Sequence, residues 1–186
     1  SAGIGQGYNA FTPIQLAHAI AIIANNGVSF RPHLVKTIRN AGTGAVTEVV
    51  REPERTIGLR PEHLAVIRNA LVGVNKEGTG ATAFRNAAYV SAGKTGTAQL
   101  FSLKGEKYSA SRLDERLRDH AWFIAYAPAD KPRIALAVLV ENGGFGAQAA
   151  APVARQVMDY YLTGDQKKPA TPAPAAAPAD SEDESD

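Results

Sequence analysis

Lys94-Thr95-Gly96-Thr97, within Ala92-Gly93-Lys94-Thr95-Gly96-Thr97-Ala98-Gln99-Leu100, is the stretch whose residue types and spacing could do chemistry. Residues 92–100 read as an edge strand, and residues two apart on a strand share a face. Thr95 and Thr97 would then present two hydroxyls on one side, beside the Lys94 ammonium, a set of donors suited to a carboxylate. Gly93 and Gly96 carry no side chain and are expected to let a ligand backbone lie against the strand. The Thr97 N–H is expected to point into a cleft as an oxyanion donor, a device worth about 2.7–4 kcal/mol per donor. A Lys-Thr-Gly tripeptide taken alone is common and is more often a surface strand that ends in glycine.

Several elements must position this strand. Thr12 followed by Pro13 reads as an N-cap and first-turn proline. The run from Ile14 is apolar on nearly every side until Gly27, which predicts a buried helix. Phe30 to Ile38 reads as one short extended segment. Pro61 opens a second helix, with Leu64, Ile67 and Leu71 at helical spacing. Ala121 to Ala127 and Ile134 to Val140 read as strands, joined by a hairpin turn at Pro128-Ala-Asp-Lys-Pro132. Pro152 to Leu162 closes the body as a helix with Val153, Val157 and Tyr160 on one side. Gly143 to Gly146 is a turn into that helix; it lacks the spacing of a phosphate loop. Strands beside a terminal helix predict an α+β fold, an antiparallel sheet flanked by helices.

The chain has 186 residues and a formal net charge of +2, a size suited to one domain and a balance that calls for no nucleic-acid partner. Pro169 to Asp186 holds five acids and no base, so the remainder carries +7. This Pro/Ala-rich acidic stretch cannot bury enough surface to offset its ordering entropy, and residues 163–186 are expected to be a disordered tail beyond a body at 1–162. There is no cysteine, which excludes disulfides and thiolate zinc sites. The four histidines are scattered: His18 reads as a satisfied core residue, His33 and His63 as surface positions. Arg118-Asp119-His120 reads as polar structural support at the entry to a strand. No metal and no cofactor is expected. The charged stretch from Phe101 to Leu117 reads as a long loop beside the motif strand.

Other segments give the motif a context. Gly3-Ile4-Gly5-Gln6-Gly7, Thr12-Pro13-Ile14-Gln15-Leu16-Ala17, Gly78-Thr79-Gly80-Ala81-Thr82-Ala83, Leu117-Arg118-Asp119-His120-Ala121-Trp122-Phe123 and Leu139-Val140-Glu141-Asn142-Gly143-Gly144 flank the Lys-Thr-Gly strand in order. Together they resemble class B penicillin-binding proteins, and within them the elongation-type penicillin-binding protein 2 family, over Ser1 to about Asp165. The resemblance implies the C-terminal part of the penicillin-binding protein and serine β-lactamase fold. It also implies a peptidoglycan D,D-transpeptidase: a serine attacks a D-Ala–D-Ala bond, expels D-alanine, and a neighbouring strand's amine resolves the acyl-enzyme. In that scheme Lys94 supplies positive potential, while Thr95, Gly96 and Thr97 bind the terminal carboxylate of a stem peptide or a β-lactam. The Thr97 N–H forms half of the oxyanion hole. Implied partners are stem peptides, β-lactams and membrane proteins of the elongation machinery, at the periplasmic face of the inner membrane.

Ser91-Ala92-Gly93-Lys94 formally matches the Ser-x-x-Lys that this chemistry needs. It is rejected, because Ser and Lys must share one face about one helical turn apart, whereas positions i and i+3 of a strand point to opposite faces. No serine has Asn two residues later, so the second motif of the family is absent too. The nucleophile, its companion motif, the first two strands of the sheet and a membrane anchor are all expected upstream of Ser1. This chain alone is therefore expected not to be acylated, and to fold poorly. A serine β-lactamase sharing the strand motif, or a non-catalytic substrate-binding module, are the alternative readings.

Overall fold

The computed structural model describes residues 9–100 and 114–164. Helix α1 (Pro13–Ala24) begins with reciprocal capping: the Gln15 N–H donates to Thr12 Oγ1 at 3.3 Å, and the Thr12 N–H donates to Gln15 Oε1 at 2.8 Å. Two orphan donors of the first turn are thereby satisfied. The helix ends at Ala24, and the turn that closes it runs on to Gly27, whose N–H donates to the Ile22 carbonyl at 2.8 Å. The expectation of burial all round needs correction. Ile20, Ile22 and Ala24 are buried, but Ile14 is 59% exposed, because among the described residues the packing partners cover only the last turns.

The extended segment expected over Phe30 to Ile38 is instead two short strands separated by a bend. β1 (Val28–Phe30) pairs with β4 (Pro53–Thr56), and β2 (Thr37–Arg39) pairs with β3 (Val46–Glu48), both antiparallel. Pro32 has no N–H to give a ladder, so a continuous strand through it is unfavourable. β3 and β4 were not expected from sequence; they are only three and four residues long and exposed along their whole length, so they carry no buried alternation to detect.

Helix α2 (Pro61–Lys76) starts at the predicted proline and buries Leu64, while Ile67 lies outward. The short helix α3 (Ala81–Phe84) follows, then strand β5 (Ala92–Ala98), a 3-10 turn at Glu115–Leu117, β6 (His120–Ala127), β7 (Ile134–Val140) and α4 (Ala150–Thr163). β5, β6 and β7 form one antiparallel sheet in that order. Alternation on β6 divides the core in two. Ala121, Phe123, Ala125 and Ala127 pack with Phe84 of α3 and with Ala150, Ala151, Ala154 and Met158 of α4. Ile124 and Tyr126 pack with Ile20 and Ala24 of α1 and with Leu71 and Val72 of α2. Helices thus cover both faces of an antiparallel sheet, an α+β arrangement.

Several boundaries shift: β6 begins at His120 and α4 at Ala150, one and two residues earlier than expected. β5 stops at Ala98, short of the Leu100 expected from sequence. α4 runs through Thr163, and Gly164 caps it in the left-handed region at φ +72°, so the first two residues assigned to the tail belong to the helix and its cap. Residues 165–186 lie outside the described residues, as do Gly3 to Gly7 and most of the loop expected over 101–117. Val153, Val157 and Tyr160 share a side of α4 as expected, and that side is the exposed one. Small residues win the inner side because Ala150, Ala151 and Ala154 let the helix approach the sheet closely, with Met158 filling what remains.

Candidate active site

Among the described residues β5 is an edge strand, with β6 on one side only. The register places Lys94 opposite Ile124, Thr95 opposite Phe123, Gly96 opposite Trp122 and Thr97 opposite Ala121. Opposed residues share a face, so Thr95 and Thr97 lie on the α3/α4 face while Lys94 leaves from the α1/α2 face. The ammonium reaches the threonines by bending along the edge: Lys94 Nζ donates to the Thr95 carbonyl at 2.7 Å. Two hydroxyls and an ammonium were expected side by side; the structure puts the threonines and the lysine on opposite faces, with the ammonium brought back to the Thr95 carbonyl.

That contact also orients the backbone. In a strand the N–H and C=O of one residue point to one side and those of the next point to the other. The Thr95 carbonyl meets Lys94 at the edge, whereas the Gly96 amide and carbonyl lie with the Trp122 carbonyl beneath Gly146. Gly96 thus turns its polar groups toward β6, and the amides of Thr95 and Thr97 point outward. The Thr95 hydroxyl stands 2.8 Å from the hydroxyl of Thr79, which immediately precedes Gly80 and α3.

The two glycines serve packing. A Cβ on Gly93 would meet the Phe123 ring at 2.7 Å, and one on Gly96 would meet Trp122 Cβ at 3.1 Å. The space expected to admit a ligand backbone at Gly93 is filled by Phe123. The segment at Gly143 to Gly146 crosses behind Gly96 on its way into α4, and a side chain on Gly146 would strike the Trp122 carbonyl.

Ser91 is 4% exposed, and its hydroxyl accepts from Asn75 Nδ2 at 2.9 Å. It stands one residue before β5, and three residues of extended chain separate it from Lys94 by about 10 Å. It ties the end of α2 to the start of the strand. Ser29 is likewise buried and bonded to His18 Nε2 at 3.1 Å. At the far end of β5, Arg118, Asp119 and His120 form a brace. The Asn142 N–H donates to His120 Nδ1 at 2.9 Å, Asn142 Nδ2 donates to the Arg118 carbonyl at 3.1 Å, and the Gly144 N–H donates to the Asp119 carbonyl at 2.8 Å. Because a backbone N–H can only donate, Nδ1 of His120 is the bare nitrogen and the ring hydrogen sits on Nε2. Burial pushes the Asp119 carboxyl above its usual range, opposed by the Leu100 N–H and by His120. Behind the strand, Arg155 Nε donates to Asp159 Oδ1 at 2.7 Å, and the Tyr89 hydroxyl donates to the same oxygen at 2.9 Å. Burial and that carboxylate push the Tyr89 phenol up. Arg155 and Asp159 are four apart on α4, a spacing that is visible in sequence as a pairing signal.

Residues 1–159 match the family described as the penicillin-binding protein transpeptidase domain. The chain belongs to that family. The peptidoglycan D,D-transpeptidase MrdA of Haemophilus influenzae is 47% identical over 168 residues, a match covering 87% of this chain and 25% of the relative. Among solved structures, Pseudomonas aeruginosa PBP2 in complex with WCK 5153 superposes with a TM-score of 0.69 at 39% identity, over 89% of this chain and 32% of that one. The penicillin G acyl-enzyme of penicillin-binding protein A from Mycobacterium tuberculosis gives 0.67 at 34% identity, over 86% and 34%. This chain therefore spans about a quarter to a third of the length of the transpeptidases it matches. The antiparallel sheet and its covering helices are the penicillin-binding protein transpeptidase fold.

Proposed function

We propose that these residues supply the carboxylate-binding and oxyanion wall of a peptidoglycan D,D-transpeptidase of the penicillin-binding protein 2 type, within a longer protein. The observation that carries this reading is the edge of β5: the Lys94 ammonium drawn onto the Thr95 carbonyl, with the Thr95 and Thr97 amides turned outward. Lys94 gives positive potential where an anionic chain terminus would lie. Thr95 and Thr97 offer hydroxyls to the terminal carboxylate of a stem peptide or a β-lactam. The Thr97 N–H serves as one oxyanion donor, positioned before the reaction so that no reorganisation is needed when charge develops.

In the intact protein the attacking serine, and the group that takes its proton, come from residues other than these. The serine adds to the D-Ala–D-Ala carbonyl, the peptide bond breaks with D-alanine leaving, and an acceptor amine then displaces the serine oxygen to form the cross-link. Stem peptides are the substrates and β-lactams the inhibitors. The elongation machinery's membrane proteins are partners, and the site of action is the periplasmic face of the bacterial inner membrane. No step calls for a cofactor or a metal.

The test uses the full-length protein that carries this chain, incubated with a fluorescent penicillin and followed on a denaturing gel. The unaltered protein is expected to acquire a covalent label, and Lys94→Ala to slow labelling by about 10²-fold. An unlabelled protein, or a Lys94→Ala variant that labels at the original rate, would overturn the assignment. Repeated turnover of nitrocefin would point to a β-lactamase instead.

A further inference from the structure

Thr79 is the unassigned residue that the geometry brings closest to the wall, and its position is heavily constrained. The chain leaving α2 folds back at once: the Gly78 N–H donates to the Gly73 carbonyl and the Gly80 N–H to the Val74 carbonyl, both at 2.9 Å. A Cβ on Gly78 would meet Val74 Cα at 2.9 Å, and one on Gly80 would meet Asn75 Oδ1 at 2.5 Å. Glycine on both sides is what lets Thr79 sit this near the end of α2. From the other side, Arg155 donates from Nη1 to the carbonyls of Ala83 and Arg85, at 3.3 and 3.2 Å, pinning α3 to α4. The side chain held by these anchors is exposed, so burial does not require its hydroxyl to be bonded. It nevertheless stands 2.8 Å from Thr95 Oγ1.

We propose that Thr79 is a positioning residue for carboxylate recognition: its hydroxyl donates to Thr95 Oγ1, which frees the Thr95 hydrogen to point at the ligand carboxylate. A carboxylate only accepts. Of the two ways the pair can share hydrogens, only the one in which Thr79 donates leaves Thr95 a hydrogen to give. The relay also polarises Thr95 and strengthens the donation it makes. This rests on the transpeptidase reading and adds to it a residue that acts through Thr95.

The experiment measures the second-order acylation rate of the full-length protein with penicillin G and with its methyl ester, in which the carboxylate charge is removed. Thr79→Val is expected to slow acylation by penicillin G about tenfold, the effect of losing the hydrogen bond that orients the Thr95 hydroxyl. Thr79→Ser is expected to restore the original rate. The ester, lacking the charge, is expected to react at nearly the same rate with all three proteins. Adding Thr79→Val to Thr95→Val is expected to cost no more than Thr95→Val alone, since Thr79 works through Thr95. Should Thr79→Val lower the melting temperature, Thr79→Ala gives the same comparison. A Val variant that acylates at the original rate, equal losses with acid and ester, or additive losses in the double variant would each refute the relay while leaving the transpeptidase reading in place. A protein that penicillin G does not acylate at all would refute both.

Discussion

Asp119 is 5% exposed, and its carboxyl takes the Leu100 N–H at the end of the motif strand. Burial raises the folded-state proton affinity above that of the unfolded chain. The folded protein therefore holds this proton at pH values where the unfolded chain has released it. Stability from this group is present at low pH and is lost as pH rises from the ordinary carboxylate range through the raised folded value. Asp119→Asn keeps an oxygen for Leu100 and removes the ionisation. Its melting temperature relative to the unaltered protein is expected to climb as pH rises from about 4 toward neutrality; a difference that stays flat with pH would contradict this. At the same scale, Ser91 was legible: the strand reading of the residues that follow it, and not the spacing, separates it from Lys94, and its bond to Asn75 supplies the reason for its burial. Thr79 was not, because its interest comes from a contact sixteen positions away that no local pattern encodes.

Among the elements, α4 shows what periodicity can and cannot reveal. The 3.6-residue spacing of Val153, Val157 and Tyr160 correctly implies a helix, and they do share a side. Apolar size does not say which side faces the sheet. Ala150, Ala151, Ala154 and Met158 do, because a helix lying close on a sheet needs small residues at the contact, with one larger chain to fill the gap. Met158→Ala is therefore expected to destabilise the full-length protein by about 2–5 kcal/mol, whereas Val157→Ser, at a position 44% exposed, should stay within about 0.5 kcal/mol. Chemical denaturation of both variants checks the pair, and equal losses would argue for a different helix orientation. The hairpin of β6 and β7 was legible from the proline-bounded turn between two apolar runs. The ribbons β1–β4 and β2–β3 were not: β2, β3 and β4 are exposed along their whole length, and β1 buries only Ser29.

Over the whole molecule, apolar surface remains uncovered among the described residues. Phe11 and Ile14 at the start of α1, Leu34, Ile38 and Val46 about the small ribbons, and Val153 and Tyr161 on α4 are all exposed. Isolated exposed apolar residues are ordinary, but this many in one small body favour association. Produced alone, the 186-residue chain is expected to bind a hydrophobic dye such as ANS and to lack a sharp melting transition. A cooperative melt at low concentration without dye binding would show that these residues are self-sufficient. The fold class was readable at this scale because the motif segments occur in one order along the chain; the division of the core into two layers required the register of β5 against β6.

The crossing of Gly146 behind Gly96 limits how such a wall could change under drug selection. Resistance through this strand would need a substitution that disfavours an inhibitor yet spares the substrate. A side chain at Gly146 would strike the Trp122 carbonyl, and one at Gly96 would press on Trp122 Cβ at 3.1 Å, so changes there disturb the packing of the sheet before they gain discrimination. At Lys94, Thr95 and Thr97 both ligands would draw on the same groups and suffer together. Thr79 offers no way round this, because it acts through Thr95; discrimination would have to come from residues outside the carboxylate wall. An evolving lineage would be expected to collect its changes there.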